Sequence, residues 1–317
     1  MLIAGLSFNP ASIYSKKPES QINDSRKLNF TGINDCFIKE DNYLKPLFPN
    51  GTDNISFNQG QYNDCQFLSA VNALSKNPAG AKLLEKMITM QDGAYKITFN
   101  KFPNNPITVQ KDEAASKVAL STGIPAALNV KVPRNRVEGD LGMKLLELAY
   151  AKLMKTVYPD KFKHIPDNEA LSVFLDPNYH YSSGIALGDI TGREVNTLIA
   201  NGKNIPEESK SFLEENQNMP GLLEKTVSYL DNLAKEQDKY AITICTAGDP
   251  NNLSQGYYLD PNKEFLKWHD YSVLKIDAEK KEIDISNPQK RNHKLTISYD
   301  DFFKYYNLIS VAKVPDK

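Results

Sequence analysis

Cysteine is scarce in this sequence, with three in 317 residues, and no two of them are closely spaced. An odd number this small excludes a disulfide framework. The lack of paired spacing also argues against a zinc site. We therefore expect Cys36, Cys65 and Cys245 to be reduced thiols, and the useful question is whether one of them is reactive.

Long hydrophobic runs are also missing. No stretch approaches the ~20 apolar residues that span a bilayer. The opening MLIAGL is short and has no charged region before it, unlike a secretory signal. We expect no membrane span. A cytoplasmic location is the default, and export by a route without a cleaved signal stays open.

Neither sign of charge is in excess. The formal net charge is −1 at pH 7, which gives no reason to expect a nucleic acid or an anionic membrane as a partner. Histidine is sparse as well, with four in the chain. Few side chains are therefore available as a base near neutral pH.

What is present is the composition of a globular enzyme, 40% hydrophobic and 24% charged. Residues 1–50 differ from the rest, because they are rich in Asn, Ser, Lys and Asp and show little periodicity. We predict that they form a polar leader, mobile or regulatory. Beyond it we predict a helical lobe over 51–198 and a β-rich lobe over 199–317.

Helical periodicity dominates the first of these lobes. Apolar residues recur at helical spacing in CQFLSAVNALS, AGAKLLEKMITM and GDLGMKLLELAYAKLMKTV, the last with Asp140 as the expected N-cap. One more amphipathic helix, GLLEKTVSYLDNLAKEQD, precedes a series of alternating strands. These are YAITICTA, HDYSVLKIDA, KEIDISNP, HKLTISY and LISVAKV. Helices followed by mostly antiparallel strands indicate the α+β class.

Cys65 has the position that thiol chemistry favours. It begins the predicted helix 65–76, directly after the turn-prone pair Asn63-Asp64. The dipole at a helix N-terminus stabilises a thiolate. Cys36 lies in the polar leader, and Cys245 lies in a predicted strand, where a cysteine is usually an inert small hydrophobe.

A base and its orienting group are expected in the β-rich lobe. His269 opens the strand HDYSVLKI, and Asn287 follows the next strand. An Asn at that place can accept a hydrogen bond from the imidazole and hold its tautomer. Asp284 is a rival orienting residue, although it lies inside the strand. A Cys on a helix with His and Asn on strands is the division of roles found in papain-like proteases.

A longer pattern runs through six segments: QGQYNDCQFL (59–68), LLELAYAKL (145–153), ALGDITG (186–192), HDYSV (269–273), NP (287–288) and SYDDFF (298–303). In this order they resemble segments of the catalytic core of the calpain family of cysteine proteases. Each segment alone is weak. Their common order along the chain is hard to obtain by chance.

The resemblance implies a papain-like fold in two lobes and endopeptidase activity on protein or peptide substrates. It implies a triad of Cys65, His269 and Asn287, in which the Cys attacks, the His moves the proton and the Asn orients the His. Gln59 takes the oxyanion-hole position of the family, together with the Cys65 backbone N–H. This chemistry requires no cofactor.

Calcium is a candidate regulator by the same resemblance, since calcium bound in each lobe aligns the lobes of family members. Several acidic residues are candidate ligands, namely Asp189, Glu194, Asp249, Asp260 and Glu264. Their spacing does not define a site. The metal ligands are therefore unknown from sequence.

The sequence departs from the family pattern next to its catalytic residues. Asn63, Gln66 and Asp270 stand where the family has Gly, Trp and Ala. Gln289 replaces the Trp that shields the His–Asn pair, and Trp268 is a candidate to replace that shield in part. The Asp270 carboxylate is expected either to raise the imidazole pKa or to face solvent.

Two other functions stay open at this point. The same triad can run acyl transfer, as in transglutaminase-like relatives of papain. The departures at 66, 270 and 289 also suit a catalytically decayed protease that is kept as a binding module. We interpret Cys36 and Cys245 as structural or incidental. The remaining histidines are interpreted as solvated loop residues, and they are His164, His180 and His293.

Overall fold

The structure, a computed structural model, describes residues 43–122, 131–176, 182–200, 222–246, 258–260, 265–290 and 293–315. Within these ranges helices precede a large antiparallel sheet, so the predicted α+β class is confirmed. Most of the predicted leader, including Cys36, lies outside the described residues, and so does His180.

The helices have the following bounds. The α-helices are α1 (Leu44–Leu47), α2 (Cys65–Ser75), α3 (Pro78–Met87), α4 (Lys111–Ala115), α5 (Leu141–Val157), α6 (Pro159–Phe162), α7 (Ser183–Thr191), α8 (Leu222–Glu236) and α9 (Tyr299–Tyr305). Two 3₁₀ helices span Asp167–Leu175 and Gln237–Lys239. The four helices predicted from periodicity correspond to α2, α3, α5 and α8, except that the helix predicted to reach Met90 ends at Met87, and a strand begins at Ile88. In the described ranges, no helix is both long and apolar enough to cross a bilayer.

The strands are β1 (Phe57–Asn58), β2 (Ile88–Gln91), β3 (Ala94–Ile97), β4 (Ile107–Val109), β5 (Val118–Thr122), β6 (Lys131–Asn135), β7 (Glu138–Gly139), β8 (Val195–Ile199), β9 (Tyr240–Thr246), β10 (Tyr258–Asp260), β11 (Phe265–Leu266), β12 (Asp270–Asp277), β13 (Glu282–Ser286), β14 (Lys294–Ser298) and β15 (Tyr306–Lys313). The main sheet has six strands in the order β14-β13-β12-β9-β15-β8, all paired antiparallel. The strands predicted in the second half are β9, β12, β13, β14 and β15.

The predicted division into two lobes at residue 198 stays a prediction. Strand β8 crosses that residue and joins the main sheet by pairing with β15, with Leu198 opposite Ile309. The chain on both sides of the predicted boundary therefore contributes to this sheet.

Helix α2 lies buried against the main sheet. Every residue of α2 except Gln66 is buried. Ser69 Oγ donates to the Asp270 carbonyl oxygen at 2.8 Å, and Asn72 Nδ2 donates to Ser272 Oγ at 3.0 Å. Buried polar side chains are tolerated when they are paired, so these bonds hold α2 over the first residues of β12.

Hydrophobic side chains gather in two clusters. In the first, Phe67 of α2 stacks on Tyr150 of α5, with ring centroids 4.4 Å apart. The second contains Tyr271 and Tyr306 together with residues of α8 and α9. Successive side chains of a strand point to opposite faces of the sheet. Ser272 therefore meets α2, whereas Tyr271 packs into the second cluster.

Candidate active site

The thiol of Cys65 is placed by the first residue of α2. The helix begins at Cys65, as predicted, and Asp64 occupies the N-cap position without a capping hydrogen bond from its side chain. Cys65 is only 6% exposed. Its Sγ is directed at the carboxylate of Asp270, and lies 4.0 Å from Oδ2. Cys65 and Asp270 are 205 positions apart in the chain, so folding alone creates this contact.

The surroundings of Cys65 disfavour the thiolate. Burial raises the pKa of the Cys65 thiol, and the negative charges of Asp270 and Asp64 raise it further. Backbone N–H groups of Asp270 and Gln66 act in the opposite direction but are outweighed. The thiol is therefore protonated at neutral pH in this conformation. The helix dipole expected from sequence does not overcome the loss of water.

His269 and Asn287 are joined by a hydrogen bond. His269 Nε2 lies 2.9 Å from Asn287 Oδ1, and both residues are buried. A carbonyl oxygen can only accept, so Nε2 carries the hydrogen and Nδ1 keeps its lone pair. Burial lowers the pKa of His269 to about 4, and the bond to Asn287 opposes that shift. The imidazole is therefore neutral at pH 7 and able to accept a proton.

Both partners of this pair are held by the backbone around them. The His269 backbone N–H donates to Thr246 Oγ1 at 2.9 Å, and Thr246 N–H returns a bond to the His269 carbonyl oxygen at 2.9 Å. Asn287 Oδ1 also accepts from the backbone N–H of Gln289 at 2.8 Å. Trp268, beside His269, is 45% exposed and has a φ of 50°, a backbone conformation that is unfavourable for a bulky residue.

Gln59 connects the loop before Cys65 to the turn after β13. Its backbone N–H donates to the Pro288 carbonyl oxygen at 2.7 Å. Its side-chain Nε2 donates to the Tyr62 carbonyl oxygen at 2.8 Å. In this conformation one of the two Nε2 hydrogens is engaged inside the loop. The oxyanion role of Gln59 stays a prediction, and it would use the second Nε2 hydrogen.

Gly60 is required by the tight packing of the same loop. A Cβ at Gly60 would lie 2.4 Å from the Asn135 carbonyl oxygen. That close approach lets the Gln61 N–H donate to the Asn135 carbonyl at 2.9 Å. The glycine in the QGQYNDC segment therefore serves packing of the loop against residues 135–136.

The surroundings of the Asp270 side chain were left open by the sequence. Asp270 does not face solvent, because it is 3% exposed, and Oδ1 accepts a 2.5 Å hydrogen bond from Ser183 Oγ. Burial raises the pKa of Asp270 to about 6. Burial lowers the pKa of His269 and the bond to Asn287 raises it, whereas the Asp270 carboxylate raises the pKa of Cys65. The only signal in the sequence was that Asp270 departs from the family pattern.

A buried ion pair lies beside the loop of residues 59–64 and was not foreseen. Arg136 Nε donates to Glu147 Oε2 at 3.0 Å, and both side chains are about 1% exposed. The neighbouring Asp64 is fully buried. Burial and the charge of Glu147 raise the pKa of Asp64 well above its usual range. Asp64 directly precedes Cys65 in the chain.

The other candidates from sequence lie elsewhere or have different partners. Asp284 accepts from Thr296 Oγ1 at 2.7 Å and pairs with Lys294 Nζ at 2.7 Å, so it is not the partner of His269. His164 lies 2.5 Å from an Asp176 oxygen. Cys245 faces Asp270 across β9 and β12, and burial raises the pKa of its thiol.

The calcium candidates do not form a site in the described residues. Asp189 is buried and already bonded to Lys101 Nζ at 2.7 Å and Tyr150 Oη at 2.9 Å. Asp249 and Glu264 lie outside the described residues, as does the side chain of Asp260. Across the described ranges, no group of three or more His, Cys, Asp or Glu residues is arranged to hold a metal ion. Calcium dependence stays a prediction.

Cys65 and His269 are both buried. A cavity of about 250 Å³ is bordered by Asn287, Asn72 and Lys76, among other residues. Cys65 and His269 do not line it. The Cys65 thiol is therefore not part of this cavity.

Comparisons with known proteins do not add a family to these observations. No protein-family model matches the chain, and no curated protein matches it either. The functional argument therefore rests on two separate contacts, His269 with Asn287 and Cys65 with Asp270. Among the described residues, Cys65 and His269 are not joined by a hydrogen bond.

Proposed function

We propose that the protein is a cysteine endopeptidase of papain-like, calpain-related architecture that cleaves proteins or peptides through Cys65, His269 and Asn287. The observation that carries the proposal is the 2.9 Å bond between His269 Nε2 and Asn287 Oδ1. This bond pairs the proposed base, His269, with the amide that orients it. Asp270 follows His269 in the chain, and its carboxylate lies 4.0 Å from the Cys65 thiol at the start of α2.

Each residue has a defined task in this mechanism. Asn287 holds Nε2–H of His269, so Nδ1 accepts the proton from Cys65. The thiolate attacks the carbonyl carbon of the scissile peptide, and the C–N bond breaks as His269 returns the proton to the leaving amine. Water then releases the acyl group from Cys65 as a carboxylate, with His269 again acting as the base.

The oxyanion of the tetrahedral intermediate needs donors that are aimed at it. Gln59 Nε2 and the Cys65 backbone N–H supply them in the proposal. One such donor typically contributes about 3 kcal/mol to lowering the barrier. The short loop between Gln59 and Cys65, tied to Pro288 through the Gln59 N–H, keeps Gln59 near the His–Asn pair.

A non-catalytic binding module is the second candidate, and one observation favours it. The Asp270 carboxylate and the burial of Cys65 both oppose ionisation of the thiol. A binding module of this kind retains the fold, although its thiol no longer attacks a peptide bond. Acyl transfer to an amine uses the same triad, and the residues of the site do not separate it from hydrolysis.

The test compares Cys65→Ala with wild type and with Cys36→Ala as the matched cysteine control. Cleavage of a fluorescently labelled unfolded protein is followed between pH 5 and 8, with calcium and with a strong chelator. We expect cleavage by wild type and Cys36→Ala, and none by Cys65→Ala. Full cleavage by Cys65→Ala refutes the mechanism, cleavage by none of the proteins favours the binding module, and crosslinking of an added amine without cleavage favours acyl transfer.

A further inference from the structure

Asp270 presents a carboxylate directly to the proposed nucleophile. Its Oδ2 lies 4.0 Å from Cys65 Sγ, with the thiol placed as the donor. Its Oδ1 accepts from Ser183 Oγ at the start of α7. Both Asp270 and Cys65 are buried. Water therefore screens the interaction between these two ionisable groups only weakly.

The groups around Asp270 leave its charge uncompensated. Helix α2 contributes Cys65, helix α7 contributes Ser183, and strand β9 contributes Cys245, whose thiol also faces the carboxylate. Asp64 adds a further acidic group near Cys65. Within the described parts of the chain, Asp270 has no ion pair with a Lys, Arg or His side chain. The Ser183 hydroxyl, the Ser183 backbone N–H and the Cys245 thiol are the partners that favour its charged form.

We propose that Asp270 is a further catalytic residue, whose ionised carboxylate holds Cys65 as a thiol and whose protonation allows Cys65 to ionise. The effect on proteolysis rests on the proposed function, whereas the effect on the thiol does not. Burial places the pKa of Asp270 at about 6. The charge of Asp270, and with it the reactivity of Cys65, therefore changes between mildly acidic and neutral pH.

The proton balance gives a clear signature. When Asp270 is charged, a thiolate at Cys65 forms only if the proton moves to the carboxylate, or if two negative charges lie side by side. When Asp270 is neutral, neither penalty applies. A neutral side chain of the same shape at position 270 should therefore leave Cys65 reactivity unchanged at low pH and raise it above pH 6, as expected for coupled titrations.

The experiment measures alkylation of Cys65 by iodoacetamide in folded wild type and in Asp270→Asn, with the labelled Cys65 peptide quantified by mass spectrometry. The readout is the ratio of the two rates from pH 4.5 to 8.5, because pH effects common to both proteins cancel. We expect a constant ratio below about pH 5, followed by a rise of about tenfold or more through pH 6, given repulsion between unit charges about 4 Å apart.

Ser183→Ala keeps the proposal testable if Asp270→Asn does not fold. The Ser183 hydroxyl favours the charged form of Asp270. Its removal should therefore move the pH at which Cys65 reactivity changes to a higher value than in wild type. A substitution on the surface of α8, Asn232→Ala, should leave that pH in place.

The outcomes separate this inference from the proposed function. A rate ratio that is flat across the pH range overturns the inference, as does failure of both proteins to react, since burial alone would then control the thiol. If the ratio rises but wild type cleaves no substrate, the control of Cys65 stands and the protease function fails. If wild type cleaves and the ratio is flat, only the role of Asp270 fails.

Discussion

Replacement of Arg136 by Met should destabilise the protein strongly, because Arg136 is the buried counter-charge of Glu147, beside the loop of residues 59–64. Its Nε donates to Glu147 Oε2 at 3.0 Å. Its Nη1 donates to the carbonyl oxygens of Glu113 at 2.7 Å and Ser116 at 3.2 Å, and Nη2 donates to that of Lys144. One side chain thus satisfies a carboxylate and three carbonyl groups.

Methionine fills a similar volume but carries neither the charge nor the donors. Glu147 would be left as a buried carboxylate next to the buried Asp64. Breaking a buried ion pair from one side typically costs about 3–5 kcal/mol. We expect Arg136→Met to lower the free energy of unfolding by that amount at pH 7.

The loss of folding stability caused by Arg136→Met should depend on pH. Burial raises the pKa of Glu147 even though Arg136 opposes the shift. Without Arg136 that pKa rises further, so the folded state binds the Glu147 proton more tightly than the unfolded state. Protonation then favours folding. The destabilisation should therefore be largest near pH 8 and should shrink as pH falls toward 5.

Urea unfolding at pH 5, 7 and 8, followed by circular dichroism, measures this effect. Lys152→Met is the matched control, since Lys152 pairs with Glu113 at 2.9 Å where both side chains are partly exposed. Exposed pairs contribute about 0–1 kcal/mol. A loss for Arg136→Met that is no larger than for Lys152→Met, or that does not change with pH, would refute the reasoning.

Three further substitutions test the site and its support. Asn287→Ala removes the acceptor for His269 Nε2 and should lower kcat on an unfolded protein substrate by roughly 10–100-fold, as for other groups that orient an imidazole; an unchanged kcat would remove Asn287 from the mechanism. Gln59→Ala should lower kcat by about 10²–10³-fold with little change in KM, and an effect confined to KM would contradict the oxyanion role. Asn72→Ala breaks the bond between α2 and Ser272 and should lower the free energy of unfolding by about 1–3 kcal/mol; a loss no larger than for the exposed Asn232→Ala would mean that this bond does not hold α2 on the sheet.

Elements with a one-sided apolar pattern were predictable from sequence. Helix α5 carries its apolar residues at helical spacing, and Asp140 occupies the N-cap position as predicted. Its carboxylate, however, accepts from the Ser56 backbone N–H at 2.8 Å instead of from the helix. Local periodicity thus located the helix, while the partner of its cap came from residues 84 positions away.

Helix α7 was missed for a physical reason. Nearly all of Ser183–Thr191 is buried, with Ile185 as the exposed exception. A helix that is covered on all sides has no polar face, so its sequence shows no stripe of period 3.6. The hydroxyl at its start, Ser183, meets Asp270, and this part of the site was therefore also not predicted.

By itself the sequence determined the order of helices and strands, the start of a helix at Cys65 and the strand ends at which His269 and Asn287 stand. These depend on local periodicity and on turn residues. Tertiary structure alone decided which groups surround the thiol. The ionisation of Cys65 depends on lost water and on the charge of Asp270, 205 positions away. Because desolvation and Coulomb energies depend on distance in space, no reading of neighbouring residues could supply them.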